Sequence, residues 1–340
     1  MIREALLWSA AAGTAAPGAV TCALCAHRCT VAPGNWGVCG VRENRGGTLV
    51  THAYGEVVAA NVDPIEKKPF FHFLPGTTSL SVAAAGCNFQ CGFCQNWSIS
   101  QLSARDGNAP GGRKTEPADI VRAARDRGCR SISYTYTEPT IFFEYAAETA
   151  ALAREAKLAN TFVTNGFLTE EALRAARPWL DAANVDLKSF RDETYKRVCK
   201  GRLQPVLDTI ARMRAFGIWV EVTTLVVPGL NDGPEELREL ARFLAGVDPG
   251  MPWHLSRFHP DYQFTDRPAT PVTQLRQAAA WGREAGLRYV YIGNVGGEGD
   301  VTSCPECGEA LVRRRGFELV FNHVEGGRCP GCGTRIPGVF

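Results

Sequence analysis

The order of apolar runs and turn signals predicts an α/β protein built on a parallel sheet, a partial or complete (β/α) TIM-type barrel. Three observations carry this expectation. From Ser79 onward, short β-prone runs alternate with helical runs of about ten residues or more, the pattern of successive βαβ units. Turn residues punctuate the alternation at Asn165-Gly166, Pro178, Gly217, Pro228-Gly229 and Gly286. Cysteine-rich stretches of a different character flank this body on both sides. The expected organisation is therefore an N-terminal Cys-rich extension over residues 1–78, a barrel over 79–299 and a small C-terminal module over 300–340.

The elements follow in order. Ser79–Ala84 reads as a strand leading into a cysteine loop. A helix is expected over Thr115–Arg127, where Pro117 suits a first turn and Ile120, Val121 and Ala124 share a face. Ser131–Thr135 is a strand, and the Ala- and Glu-rich Ile141–Lys157 a helix. Strands Asn160–Thr164 and Ala182–Leu187 bracket a helix at Thr169–Arg177. A helix over Pro205–Phe216 closes at Gly217. Ile218–Val227 is the longest β-branched run. Helices over Pro234–Ala245 and Val272–Ala285 alternate with strands at Trp253–Phe258 and Tyr289–Ile292. In such barrels reactive groups gather at the C-terminal strand ends. Glu138, Asn165, Asp186, Lys188 and His259 all fall there.

Composition narrows the function. The 340 residues are 45% hydrophobic and 21% charged with a formal net charge of +2, which gives no reason to expect a nucleic-acid or membrane-surface partner. No apolar run approaches the ~20 residues of a membrane span. Met1–Val20 lacks a basic segment followed by a compact apolar core, so no signal peptide is read and a cytoplasmic location is expected. Of 13 cysteines, eleven fall in three groups: Cys22, Cys25, Cys29 and Cys39; Cys87, Cys91 and Cys94; and Cys304, Cys307, Cys329 and Cys332. Spacing this close in a reducing compartment points to metal rather than to disulfides. Cys129 and Cys199 are left over, and Cys129 reads as a small core residue.

The central group, Gly86-Cys-Asn-Phe-Gln-Cys-Gly-Phe-Cys94, supplies three thiols where a [4Fe–4S] cluster ordinarily takes four. An iron left one protein ligand short can bind and activate a small molecule. Zinc with a borrowed fourth ligand, and hence a non-catalytic scaffold, is the alternative. A CxxxCxΦC loop after the first barrel strand resembles the signature of the radical S-adenosylmethionine (SAM) enzymes. Further segments extend the likeness over roughly residues 18–295: Cys94-Gln-Asn96, Tyr134-Thr-Tyr-Thr-Glu-Pro139, Thr164-Asn-Gly166, Val185-Asp-Leu-Lys188, Val227-Pro-Gly-Leu-Asn-Asp232 and His259. In detail the chain is similar to the pyruvate formate-lyase activating enzyme-like branch, and most of all to the AmmeMemoRadiSam system radical SAM enzymes. Asp63-Pro-Ile-Glu-Lys-Lys-Pro69, Phe71-His-Phe73 and Tyr291-Ile-Gly-Asn294 carry that closer likeness.

The resemblance implies a [4Fe–4S] cluster on Cys87, Cys91 and Cys94 whose unique iron binds SAM. It implies reductive cleavage of SAM to a 5′-deoxyadenosyl radical that abstracts a hydrogen atom from substrate. Glu138 would accept from the methionyl ammonium, Asp186 would bind the ribose hydroxyls and Lys188 would neutralise a carboxylate. Asn96, Thr164 and His259 would hydrogen-bond the cofactor. A one-electron reductant such as flavodoxin or ferredoxin is the implied partner. Two positions depart from the activases: Thr135-Tyr136-Thr137 replaces a glycine pair, and Gln95 replaces a His. The expected substrate is therefore a small molecule, with activation of a glycyl-radical enzyme as the alternative.

The flanks carry two more metal sites. Cys22, Cys25, Cys29 and Cys39 follow neither standard ferredoxin spacing; zinc is expected, an auxiliary iron–sulfur cluster is the alternative, and His27 is a substitute ligand. The two CPxCG turns at Cys304–Gly308 and Cys329–Gly333 read as a zinc ribbon or rubredoxin-like knuckle pair. Zinc there stabilises a module too small to build its own core. Arg313-Arg-Arg315 is a candidate contact for a protein partner, with a solvated strand face the alternative.

Overall fold

The alternating runs assemble into one nine-stranded sheet in the computed structural model, which describes residues 1–13, 15–102, 104–106, 112–298 and 300–340. Its strands are β1 (Glu56–Pro64), β2 (Thr78–Ala84), β3 (Arg113–Lys114), β4 (Ser131–Tyr134), β5 (Ala159–Thr164), β6 (Ala182–Asp186), β7 (Trp219–Val226), β8 (Trp253–Arg257) and β9 (Val290–Gly293). They lie in the order β3-β1-β2-β4-β5-β6-β7-β8-β9. The seven strands from β2 to β9 that exclude β3 run parallel, and β1 and β3 are added antiparallel. The sheet keeps two edges, so the expected barrel is a partial one.

Six helices cover one face: α1 (Pro117–Asp126), α2 (Phe143–Glu155), α3 (Glu170–Ala176), α4 (Leu203–Ala215), α5 (Pro234–Val247) and α6 (Val272–Glu284). Each follows from local chemistry. In α5, Leu237, Leu240, Ala241 and Leu244 form one buried stripe, and Glu235 and Glu236 sit in the first turn, where the helix dipole favours them. In α3, Thr169 caps the start by accepting from the Ala172 amide at 3.1 Å. The helix expected from Ile141 begins instead as a 3₁₀ turn at Pro139–Phe142, and α2 starts at Phe143. The Glu138 side chain caps that turn through the Thr140 amide, so the first residues answer to the site rather than to helix propensity.

The two faces of the sheet differ. Leu80, Val82, Ile132, Phe162, Val185 and Val222 are buried on the helix side. On the inner face, several strands carry polar residues two apart that bond across to their neighbours. Ser79 Oγ lies 2.6 Å from Ser133 Oγ, Ser133 Oγ lies 2.7 Å from Thr161 Oγ1, and Thr223 Oγ1 donates to Asn184 Oδ1 at 2.8 Å. Hydroxyls and amides therefore line much of the interior, with Val163 and Leu225 among them.

Beneath the sheet, Ile65, Phe70 and Phe73 pack on Ala182 and Trp219 at the starts of β6 and β7 and close the bottom. The expected boundary at residue 78 thus cuts through a continuous structure, because β1 belongs to the central sheet and the segment after it forms the floor. Gly299, the last residue of the expected barrel segment, lies outside the described residues. The C-terminal module is a three-stranded antiparallel sheet of Val301–Ser303, Ala310–Arg315 and Glu318–Asn322. It packs on Tyr289 and Tyr291. Arg314 is buried in that contact and fixes the module to the body, whereas Arg313 and Arg315 on the same strand are exposed. Among the described residues no helix is long and apolar enough to cross a membrane.

Candidate active site

The three-cysteine loop sits where β2 delivers it, at the C-terminal end of the parallel strands. Cys87, Cys91 and Cys94 line a cavity of about 390 Å³ together with Asn96, Glu138, Thr164, Asp186 and Lys188. Several separate stretches of sequence, each following a strand, thus meet at one point. His259 does not join them. It is exposed at the rim, with Nε2 3.0 Å from the Gln95 side-chain nitrogen, so it meets the cavity only through Gln95. The loop that carries His259 also clamps the cysteine loop. Gln263 donates its amide to Gly92 O at 3.1 Å, and a Cβ on Gly92 would stand 2.8 Å from the Phe264 ring. Only glycine fits there.

The sulfurs are set up as acceptors. The Phe89 amide donates to Cys87 Sγ at 3.3 Å, and Ser100 Oγ lies 3.1 Å from Cys94 Sγ. Burial pushes the Cys87 thiol well up, and the nearby Glu138 carboxylate pushes it further. Such a thiol becomes a thiolate most readily on a metal, whose charge reverses both penalties. The site therefore fits an iron–sulfur cluster. Cys199, buried at the end of a π-helical turn, lies beside Cys91 and helps hold that thiol well above its ordinary range. That fourth thiol is 108 residues away in sequence from Cys91, and no spacing rule pointed to it.

Glu138 is buried and takes four hydrogen bonds. Its Oε1 accepts from the Thr140 amide at 3.1 Å, Thr140 Oγ1 at 2.5 Å and Thr164 Oγ1 at 2.7 Å; its Oε2 accepts from the Asn165 amide at 2.8 Å. Burial raises its pKa, while the Asn165, Thr140 and Thr164 donors pull it down. Thr164 is committed to Glu138 and orients it. Asp186 and Lys188 do form an ion pair, at 3.0 Å, yet both still face the cavity.

Sequence reasoning missed the floor of the cavity. Lys67 and Lys68 line it with Tyr136. Lys67 and Lys68 lie 2.8 Å and 2.7 Å from the two carboxylate oxygens of Asp63, and Tyr136 donates its hydroxyl to Asp63. The Lys68 ammonium also lies 4.2 Å from the centre of the Tyr136 ring. Two lysines thus share one carboxylate. Tyr136 stands where a glycine was expected and adopts a left-handed φ of 64°. The signal was present in the charged run Asp63–Lys68, but only the fold turns it inward.

The sequence pattern of the radical SAM superfamily matches residues 82–244, the span that holds the cysteine loop and the Glu138, Asp186 and Lys188 strand ends. The chain belongs to the radical SAM superfamily. As a radical SAM protein it is an enzyme, and family membership implies a [4Fe–4S] cluster, SAM and a reductant. An uncharacterized protein of Methanocaldococcus jannaschii is 44% identical over 93% of this chain and 95% of its own length. An isethionate sulfite-lyase activating enzyme of Nitratidesulfovibrio vulgaris is 29% identical over 37% of this chain and 44% of its own. A radical SAM methyltransferase from Sphaerobacter thermophilus shares the fold, with a TM-score of 0.51 at 20% identity over 70% of this chain and 71% of that one. The zinc-scaffold alternative falls with this assignment.

The flanking cysteines also converge. Cys304, Cys307, Cys329 and Cys332 have their sulfurs within 4.8 Å of one another, as tetrahedral zinc requires. Cys22, Cys25, Cys29 and Cys39 surround one closed pocket. His27 is not among its lining. Its Nε2 lies 2.8 Å from Asn88 O, so it joins this flank to the central cysteine loop. Cys129 is a buried core residue, as its setting implied.

Proposed function

We propose that this radical SAM enzyme acts on a small polar molecule held beneath the three-cysteine loop. The observation that carries the reading is the charged floor. The cavity runs from Cys87, Cys91 and Cys94 past Glu138 and Asp186 down to Lys67, Lys68 and Tyr136, inside the ring of strand ends. Bound there, the cluster and SAM supply a 5′-deoxyadenosyl radical.

The chain's own residues do the positioning. Oε2 of Glu138, with one donor already in place, accepts from the methionyl ammonium. Asp186 accepts from ribose hydroxyls, and Lys188 balances a carboxylate. Asn96 hydrogen-bonds from the loop, and Thr164 holds Glu138. Gln95, steadied by His259, covers the entrance. Tyr136 and Lys68 face the substrate, and the hydroxyl-lined strands below them offer hydrogen bonds to a polar ligand. Zinc in the C-terminal four-cysteine site holds the terminal module.

The likeness to the isethionate sulfite-lyase activating enzyme favours a second reading, activation of a glycyl-radical partner. One experiment separates the two. The reconstituted, reduced enzyme is incubated with SAM and either a perdeuterated low-molecular-weight cell extract or the protein fraction of the same cells. Deuterium in 5′-deoxyadenosine, absent with Cys91→Ser, is the expected outcome. A glycyl-radical electron paramagnetic resonance (EPR) signal in the protein fraction, without deuterium transfer from the small molecules, overturns the proposal.

A further inference from the structure

The N-terminal cysteines differ from the C-terminal ones in how closely their sulfurs approach. Zinc bonded to four sulfurs at about 2.3 Å holds them roughly 3.8 Å apart. Cys304, Cys307, Cys329 and Cys332 obey that limit, with sulfur pairs at 3.5 and 3.6 Å. Among the described residues no three of Cys22, Cys25, Cys29 and Cys39 come within 4.8 Å of one another. The same is true of Cys87, Cys91 and Cys94, the set the superfamily assigns to a [4Fe–4S] cluster. Thiolates around a cuboidal cluster stand apart because each bonds a different iron.

The space between the sulfurs agrees. The N-terminal four, with Leu24 and Val31, line one shared void into which all four cysteines open.

The surroundings suit an anionic, buried cluster. Arg42 is buried and donates to Cys22 Sγ at 3.4 Å, and the Val38 amide donates to Cys29 Sγ at 3.5 Å. Hydrogen bonds to sulfur tune a cluster's potential, and Arg42 is held in place by its buried ion pair with Glu144. The void also abuts the active site. Thr140 and Ile141 form part of its wall, and Thr140 is the residue whose amide and hydroxyl hold Glu138. On the other side, the Ala26 amide donates to Phe167 O at 3.0 Å and His27 meets Asn88 O.

We infer that Cys22, Cys25, Cys29 and Cys39 hold a second [4Fe–4S] cluster, separated from the catalytic cavity by the Thr140–Glu138 layer. The test is metal and acid-labile sulfide analysis of the full chain, reconstituted without air, as wild type and as the Cys87→Ser/Cys91→Ser/Cys94→Ser variant. The wild type is expected to hold about eight irons and one zinc. The variant is expected to keep about four irons and, after reduction, a [4Fe–4S] EPR signal that SAM does not change. Adding Cys22→Ser and Cys25→Ser removes that iron. About four irons and two zincs in the wild type overturn the inference, as does a triple variant without iron. Should the triple variant be insoluble, the wild-type iron-to-zinc ratio decides alone. None of these readouts depends on SAM cleavage, so failure here is distinct from failure of the proposed function.

Discussion

The Tyr291 hydroxyl meets Nε2 of His72 at 2.7 Å, and this contact fixes the direction of a hydrogen-bond chain that ties the C-terminal module to the floor. His72 Nδ1 lies 2.8 Å from Pro337 O, which only accepts, so Nδ1 carries the proton and Nε2 accepts from Tyr291. Tyr291 in turn pairs with Thr302 Oγ1 at 2.8 Å, and Thr302 receives Arg314 Nη1 at 3.0 Å. Every member has a partner with neutral His72; a proton on Nε2 turns that nitrogen into a donor, reverses the Tyr291 and Thr302 hydroxyls and leaves the Thr302 hydrogen without its acceptor.

That polarity predicts a pH dependence. Burial lowers the His72 pKa to about 4, although the Glu221 charge and the Pro337 carbonyl act the other way. The folded value lies below the unfolded value of about 6.5, so protons favour the unfolded chain. The contribution is complete above about pH 6.5, falls as pH drops towards 4 and then levels, amounting to roughly 3 kcal/mol. Urea denaturation of zinc-loaded protein at pH 7 and 4.5 is expected to show a larger acid loss in wild type than in His72→Asn. Equal losses would remove His72 as the source.

Arg314 predicts a stability effect of a different origin. It donates to Phe71 O at 2.6 Å, lies 4.1 Å from the Phe71 ring centre and faces Glu66 at 3.7 Å in full burial. Arg314→Met leaves the Glu66 charge buried without its cation and is expected to cost about 3–5 kcal/mol. Arg314→Met/Glu66→Gln recovers a substantial part, because the stranded charge is gone. A double variant no more stable than the single one contradicts the pairing.

Glu138 predicts a binding effect. Glu138→Gln keeps size and shape but removes the charge that would meet the methionyl ammonium. The concentration of SAM giving half-maximal 5′-deoxyadenosine formation is expected to rise roughly ten- to a hundredfold, the range of a charge-assisted hydrogen bond. An unchanged value would confine Glu138 to organising the Thr140 and Asn165 turns.

The C-terminal site predicts separable metals. A zinc chelator is expected to release about one zinc per chain and lower the melting temperature, while the iron–sulfur absorbance persists. Cys307→Ser should reproduce the lower melting temperature without chelator, because an exposed knuckle ligand is lost. Simultaneous loss of the iron absorbance would show the sites to be interdependent.

Local chemistry made much of this protein legible before folding. The three-cysteine loop, the two four-cysteine sets and the strand–helix alternation are written in short spacings, since backbone propensity and metal-ligand geometry act over a few residues. Even the strand-end residues Glu138, Asp186 and Lys188 were readable, because each sits at the end of a β-prone run. Tertiary structure decided what distant residues do to one another. It turned Tyr136 and Lys68 into a floor around Asp63, brought Cys199 to Cys91, and held His259 at the rim beside Gln95. It also buried Arg314, which an exposed-looking run of three arginines did not disclose. The physical reason is common to all four. Burial and ion pairing depend on contacts between segments separated in sequence by anything from a few residues to more than two hundred, and only the folded packing sets those distances.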